Sequence, residues 1–425
     1  MSVSKFEISN GAQGLFVKNS RFKTTLVSVN FYLPLNKDKV ARYALLPFIL
    51  TTCGKDYPSF RKLNFKLSKL YGAELTASAE KIGDYQLLKM SVSVIGDKYA
   101  LDGEILTQEA IELLTSLIFE PKVQDNSFFK EDVEREKRKA IEHIKGEYSE
   151  KRVYAKNRLI EEMYKNDCYG VPKCGTIEDV EAIDGDNLFS AWQEMLQNAF
   201  IRVNVVSNSM PKGLFDSIGE KLSAVERNNI TDISNTIPTK PANEVNTITE
   251  RTEINQGKLV MGFSLQKFGG DVSTADSFVA TDIFGGGPYS KLFSNVREKM
   301  SLCYYCAARS VRVKGLVTVE SGIEAVNAEK AQKAILEQLK SLQDGNLSDD
   351  EFNSSILGLC DSLKSYNDRS EAIELWYSTR ISDKELLSPE EFAEKVKLVT
   401  KDDVIKAANG IKLHTVFLLL PEVDK

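Results

Sequence analysis

Thr24–Leu35 (TTLVSVNFYLPL) and Lys258–Leu265 (KLVMGFSL) read as one element met twice. In the first, apolar Leu26, Phe31 and Leu33 are interleaved with small or polar neighbours, the two-residue period of a strand with one buried face. The same series follows each copy outward along the chain. Helical segments come next, and then an alternating strand, Gln86–Val94 (QLLKMSVSV) after the first copy and Gly315–Ser321 (GLVTVES) after the second. A helix, a polar break and a further helix follow. These are Thr107–Phe119, Pro121–Asn126 and Lys130–Tyr148 in the first series, and Ala328–Leu342, Asp344–Ser348 and Asp349–Tyr366 in the second. Ser348 with Glu351 has the spacing of a capping box; Asn126 or Ser127 is the corresponding cap in the first series. Each series closes with a helix and a strand. Asp184 starts a helix through Gln197 before strand Ile201–Val206, and Thr400 starts one through Ala408 before strand Thr415–Leu420.

Two such series predict an α+β chain of two homologous domains, each a mainly antiparallel sheet packed on helices. Residues 1–212 form the first domain and 246–425 the second. Residues 213–245, with Pro238, Pro241 and many Asn and Thr, read as a loop-rich linker. The period is far longer than that of repeat arrays.

The chain has 425 residues, 42% hydrophobic and 27% charged, with a net charge of −6, enough to bury a large core without staples. The mild acidity and absence of a basic stripe speak against nucleic acid and against an anionic membrane. No apolar run approaches the roughly 20 residues of a membrane helix, and the first residues lack the apolar core of a signal peptide, so a cytoplasmic protein is expected. Six cysteines are too sparse for a disulfide scaffold and would there stay reduced. Cys303-x-x-Cys306 has the form of half a zinc site or a redox pair. In a strand, however, residues three apart face opposite ways, and no second Cys/His pair is near, so two small core residues are expected.

Longer motifs carry a family likeness. Gly54-Lys-Asp-Tyr57-Pro58-Ser59, Leu67-x-x-Leu70-Tyr-Gly72-Ala73-Glu-Leu-Thr-Ala77 and Tyr169-Gly170-x-Pro172-x-x-Gly175-Thr176 run through the first half. In the second half stands Gly287-x-x-Ser290-x-Leu292-Phe293-x-x-Val-Arg297-Glu298-Lys299-x-x-Leu302-x-Tyr304. Together these resemble the small-subunit insulinase/pitrilysin-like zinc peptidases, which include the mitochondrial processing peptidases. The resemblance covers nearly the whole chain. It implies a His-x-x-Glu-His helix in the first domain, with two histidines one turn apart on zinc, a glutamate activating the bound water, and a further glutamate ligand on a later helix.

The sequence departs at that point. It holds two histidines, His143 and His414, so no such pentad exists. Counted back from Gly54–Ser59, Ala44 and Phe48 stand where the histidines belong and Pro47 where the general base belongs. Arg42 to Thr52 contains no His, Asp, Glu or Cys. On the later helix, aligned on Ile144-Lys145, His143 stands at the third ligand. Neither a zinc site nor any other cofactor is expected, and the chain is read as an inactive homologue of zinc peptidases. A relocated metal on Glu136, His143, Glu147 and Glu150 and a thiol nucleophile at Cys53 are weaker readings, because charge-laced helices are common and a thiol needs a paired base. His414 is read as structural.

The resemblance implies that Arg297 and Tyr304 match second-domain residues that hold substrate backbone, one by its forked donors, the other by its phenol. Gly285-Gly286-Gly287 lacks the spacing of a nucleotide loop. Loss of the first set with retention of the second matches the non-catalytic partner in heterodimers of this family, and most resembles inactive bacterial members, some associated with modification of elongation factor P. The expected partners are a zinc-bearing relative, or a second copy in a homodimer, and a peptide substrate. The alternative is a stand-alone peptide-binding or scaffold protein.

Overall fold

A computed structural model describes residues 2–234, 237–266, 273–383 and 385–422. The first half runs β1 (Ser2–Ser9), β2 (Ala12–Lys18), β3 (Thr24–Pro34), α1 (Val40–Leu50), α2 (Phe60–Lys69), β4 (Glu74–Ile82), β5 (Tyr85–Ile95), α3 (Leu106–Phe119), β6 (Val123–Gln124), β7 (Ser127–Phe128), α4 (Lys130–Ser149), α5 (Lys151–Met163), α6 (Ile177–Glu181), α7 (Gly185–Asn198) and β8 (Phe200–Ser207). After α8 (Leu214–Ser223) come β9 (Asn246–Thr252), β10 (Gly257–Leu265), α9 (Thr274–Gly285), β11 (Cys303–Val311), β12 (Leu316–Ile323), α10 (Ala328–Gln343), α11 (Asp349–Ser365), α12 (Ser370–Ser378), α13 (Pro389–Lys397), α14 (Lys401–Asn409) and β13 (Ile411–Pro421). Helix α8 falls inside the stretch expected to be loop-rich.

The duplication is written in the sheets. The first is ordered β1-β2-β8-β3-β5-β4, and the second, read in the matching direction, β9-β13-β10-β12-β11. Apart from the extra edge strand β1, each strand has its counterpart in the same place. In both sheets one pair is parallel, β2 with β8 and β9 with β13, and the rest are antiparallel. Ser348 and Glu351 form the expected capping box, as do Asp184 with Asn187 and Thr400 with Asp403. The expected cap from Asn126 or Ser127 does not form at α4. Asp125 and Asn126 both have positive φ (51° and 61°) and make the two-residue turn between β6 and β7, where such residues match the strand twist.

The compact units are not linear halves. One comprises Met1–Lys145, Val171–Asn235 and Asn367–Leu386; the other comprises Gly146–Gly170, Thr236–Tyr366 and Leu387–Lys425. Helix α5 from the first series packs on β10 and β13, and its counterpart α12 from the second series packs on β3 and β8. The two series thus exchange equivalent helices over equivalent strands.

In the first unit the pleat gives the sheet two different faces. Val27, Val29, Phe31, Leu33, Leu88, Met90, Ile201 and Val203 join α1, α3 and α7 in the main core. The residues between them, Ser28, Asn30, Tyr32, Lys89, Arg202 and Asn204, face the other way and lie under α12. Glu374 of α12 accepts hydrogen bonds there from Ser28 Oγ (2.7 Å), Asn30 Nδ2 (3.2 Å) and Asn204 Nδ2 (3.0 Å), and pairs with Lys89. Tyr32 donates to the Ser378 carbonyl (2.8 Å). In the second unit α5 meets an apolar face, Ala155 and Leu159 packing with Val260, Phe417 and Leu419. Its polar side chains clamp both flanks of the sheet, Arg152 on Glu320 (2.7 Å) and Arg158 on Glu250 (2.8 Å).

Two outcomes are expected. Glu374→Ala strands a buried ammonium and three donors, and should lower unfolding free energy by about 3–5 kcal/mol in urea titration; Glu374→Gln, which keeps an acceptor, should cost less. Gly322→Ala would set a Cβ 2.5 Å from the Tyr305 ring and should cost about 1–3 kcal/mol in the same measurement.

Candidate functional site

The degenerate positions of the first unit lie on α1. Ala44 is buried in the core at 5% exposure, Pro47 is buried inside the helix, and Phe48 turns outward at 39%. None carries a metal-binding atom. Pro47 also lacks an N–H, so it cannot bond the carbonyl one turn back, a helix-interior cost of about 3 kcal/mol. The last turn is closed by the backbone, Thr51 N to Pro47 O (3.2 Å) and Thr52 N to Ile49 O (3.2 Å), and reinforced by hydroxyls, Thr51 Oγ1 to Pro47 O (2.7 Å) and Thr52 Oγ1 to Phe48 O (2.7 Å). These residues do not fit zinc.

The start of α4 lies beside the end of α1 and holds carboxylates already committed to cations. Asp132 accepts from Lys122 Nζ (2.8 Å) and Arg135 Nη1 (2.8 Å). Glu136 accepts from Arg135 Nε (3.0 Å), Lys139 Nζ (3.0 Å) and Thr52 Oγ1 (3.4 Å). Burial opposes ionisation of Asp132, but the hydrogen bonds from Lys122 and Arg135 win and hold its carboxyl below the usual range. Cys53 donates to Asp132 (3.6 Å). Burial and that carboxylate push its thiol up to about 11, so it stays protonated at neutral pH and is no nucleophile.

His143 is exposed two turns further along α4. Glu147 accepts from Asn157 (3.4 Å), and Glu150 lies past the helix end, where it caps α5 through Arg152 N (3.2 Å). The four residues weighed as a relocated metal site therefore do not share one helical face. His414 is within β13, its Nδ1 2.8 Å from Thr415 Oγ1, and burial lowers its imidazole pKa.

In the second unit the Gly285–Gly287 run is a packing device. A Cβ on Gly285 would lie 2.5 Å from the Ala308 nitrogen, and one on Gly287 would lie 2.7 Å from the Tyr289 ring. The chain then forms the helical segment Leu292–Lys299 with wide, π-type turns, closed by Met300 N to Asn295 O (2.9 Å). Such widened turns often accompany functional sites. Arg297 projects from it, 38% exposed, stacked over the Phe293 ring at 4.5 Å and 3.5 Å from Glu298. Ser301 follows at φ 51°, a left-handed conformation unusual for a side-chain-bearing residue.

Strand β11 then starts with a bulge. Cys303 pairs with Ile323 and Tyr305 with Gly322, which leaves Tyr304 as the extra residue. Bulges re-aim side chains, and Tyr304 is 58% exposed. Tyr305 lies on the opposite side, over Gly322 and under the Arg152 guanidinium at 4.6 Å. The bulge carries no glycine or other recognisable signal, so sequence alternation misses it, and with it the true facing of Cys303 and Cys306.

Ser301→Gly should remove a left-handed cost of about 1–2 kcal/mol while adding about 0.5–1 kcal/mol of backbone entropy loss. A net gain near 0.5–1 kcal/mol is expected in urea titration.

The sequence model of the peptidase M16 inactive domain matches residues 182–359. Over 409 residues the chain is 31% identical to the "Probable inactive metalloprotease YmfF" of Bacillus subtilis, covering 96% of each. Its fold superimposes on a conserved protein from Enterococcus faecalis V583 with a TM-score of 0.89 and 24% identity, over 100% of this chain and 99% of that one. It also superimposes on a peptidase M16 inactive domain from Pseudomonas fluorescens with a TM-score of 0.79 and 16% identity, over 100% and 99%. With no metal-binding side chain at Ala44, Pro47 or Phe48 and a probable inactive relative matched over 96% of its length, the chain belongs to the insulinase/pitrilysin-like peptidase M16 family, as a non-catalytic homologue of its zinc enzymes.

Proposed function

We propose that this chain is the non-catalytic subunit of a two-subunit peptidase. A zinc-bearing relative supplies the metal and general base, and Arg297 and Tyr304 of this chain hold the peptide. The observation that carries the reading is the β11 bulge, which leaves an exposed phenol where a regular strand would turn alternate residues inward. Arg297 is similarly available: its contact with Glu298 is long, and its stacking on Phe293 leaves guanidinium donors for a carbonyl or carboxylate.

A second reading, a stand-alone peptide-binding or scaffold protein, is favoured by β4. This strand is the sheet edge, paired on one side to β5. An edge of this kind accepts an extended segment as an added strand, and needs no metal.

The two readings separate in one assay. A fluorogenic peptide pool with zinc is offered to this chain, to a His-x-x-Glu-His relative, and to the mixture. Cleavage by the mixture well above that of the relative alone is expected. Tyr304→Phe and Arg297→Ala should lower it by about 100-fold, the loss typical of one transition-state donor. Both side chains are partly exposed, so little stability is at stake. No gain on mixing, with peptide still bound by this chain alone, would favour the scaffold reading.

A further inference from the structure

Cys303 and Cys306 belong neither to the lost metal site nor to the peptide-contact pair. The extra residue at Tyr304 changes their relation. Cys306 lies opposite Ser321 and Cys303 opposite Ile323. Ser321 and Ile323 are two apart on β12 and share a face, so the two cysteines share it as well. Two residues of strand span about 6.6 Å, which sets the expected Cα separation just inside the upper limit of about 6.8 Å for a disulfide.

The surroundings divide the two sulfurs into different roles. Cys306 is buried at 4% exposure, whereas Cys303 is only partly covered. The Cys306 thiol, on the same face of β11, favours a thiolate at Cys303. That contact, helped by the Ser321 hydroxyl and the Arg297 charge, outweighs burial and brings the Cys303 thiol down to about 7. Cys306 moves the other way, well above the ordinary thiol value, through the same contact and its burial. The buried Ser321 Oγ, opposite Cys306 in the ladder, has no hydrogen-bond partner among the described residues.

We infer that Cys303 and Cys306 form a reversible dithiol–disulfide pair, with Cys303 as the attacking sulfur and Cys306 as the resolving one. The oxidant class is a hydroperoxide. The Cys303 thiol ionises, its thiolate attacks a peroxide oxygen, the O–O bond breaks, and Cys303 sulfenic acid forms as hydroxide leaves and takes up the proton released by the thiol, giving water. The Cys306 sulfur then attacks the Cys303 sulfur. The S–S bond forms, the S–OH bond breaks, and the Cys306 proton departs with that hydroxyl as water. Two thiols are oxidised and hydrogen peroxide is reduced to two waters. A dithiol reductant reverses the bridge by exchange.

The fully reduced, full-length chain is treated with a small excess of hydrogen peroxide, denatured, alkylated and peptide-mapped by mass spectrometry. The expected result is loss of two of the six thiols, both within Cys303–Cys306, with a mass decrease of two hydrogens and full recovery in dithiothreitol. Cys306→Ser should stop at a sulfenic acid captured by dimedone, and Cys303→Ser should leave Cys306 unmodified. Retention of all six thiols, or passage of Cys303 to sulfinic acid without a bridge, would overturn the inference. Mapping the unaltered chain decides it even where a serine variant fails to fold.

Discussion

The first sheet depends on one buried carboxylate. Its outer face carries Ser28, Asn30, Lys89 and Asn204, groups that cost several kilocalories each to bury without partners. Helix α12 covers that face and brings Glu374, which accepts from three of them and neutralises the fourth. The carboxylate comes from the second series of elements, and the second sheet receives α5 from the first. The two exchanges differ in chemistry. One joins polar groups around a single charge, while the other packs leucine, valine and phenylalanine and holds the flanks by ion pairs. The architecture is duplicated; the means of covering each sheet is not.

Loss of the metal site has left a coherent structure behind. Zinc ligands must be polar and poised, and polar groups in a core are costly unless satisfied. On α1, Ala44 and Pro47 are buried and Phe48 faces out. On α4, Asp132 and Glu136 persist as buried carboxylates but are saturated by Lys122, Arg135 and Lys139. That region is internally neutralised. In the second unit a widened helical turn, a left-handed serine and a strand bulge in succession leave Arg297 and Tyr304 exposed.

Much of this was legible from alternation and capping. Strand Thr24–Pro34, helix Asp349–Ser365 and the caps at Asp184, Ser348 and Thr400 follow from local sequence, because period and side-chain-to-backbone bonding are local. The helix exchange was not legible. Nothing in the α5 or α12 sequences says which sheet each will cover, since amphipathic helices of similar length suit either. Asn126 reads equally as a cap or a turn residue, and the adjoining Asp125 decides for the turn. The facing of Cys303 and Cys306 was misread because a single inserted strand residue inverts the two-residue period, and no residue type marks it.

The exchanged helix also sets an order of events at the ribosome. The last strand of the first sheet ends at Ser207, and Glu374 is 167 positions later (374 − 207). At synthesis rates of roughly 5–20 residues per second, the polar face of that sheet waits about 8–33 s for its lid. The nascent chain must hold one face of its first sheet solvated until α12 has emerged. Completion of the first unit is thereby tied to faithful translation of the second.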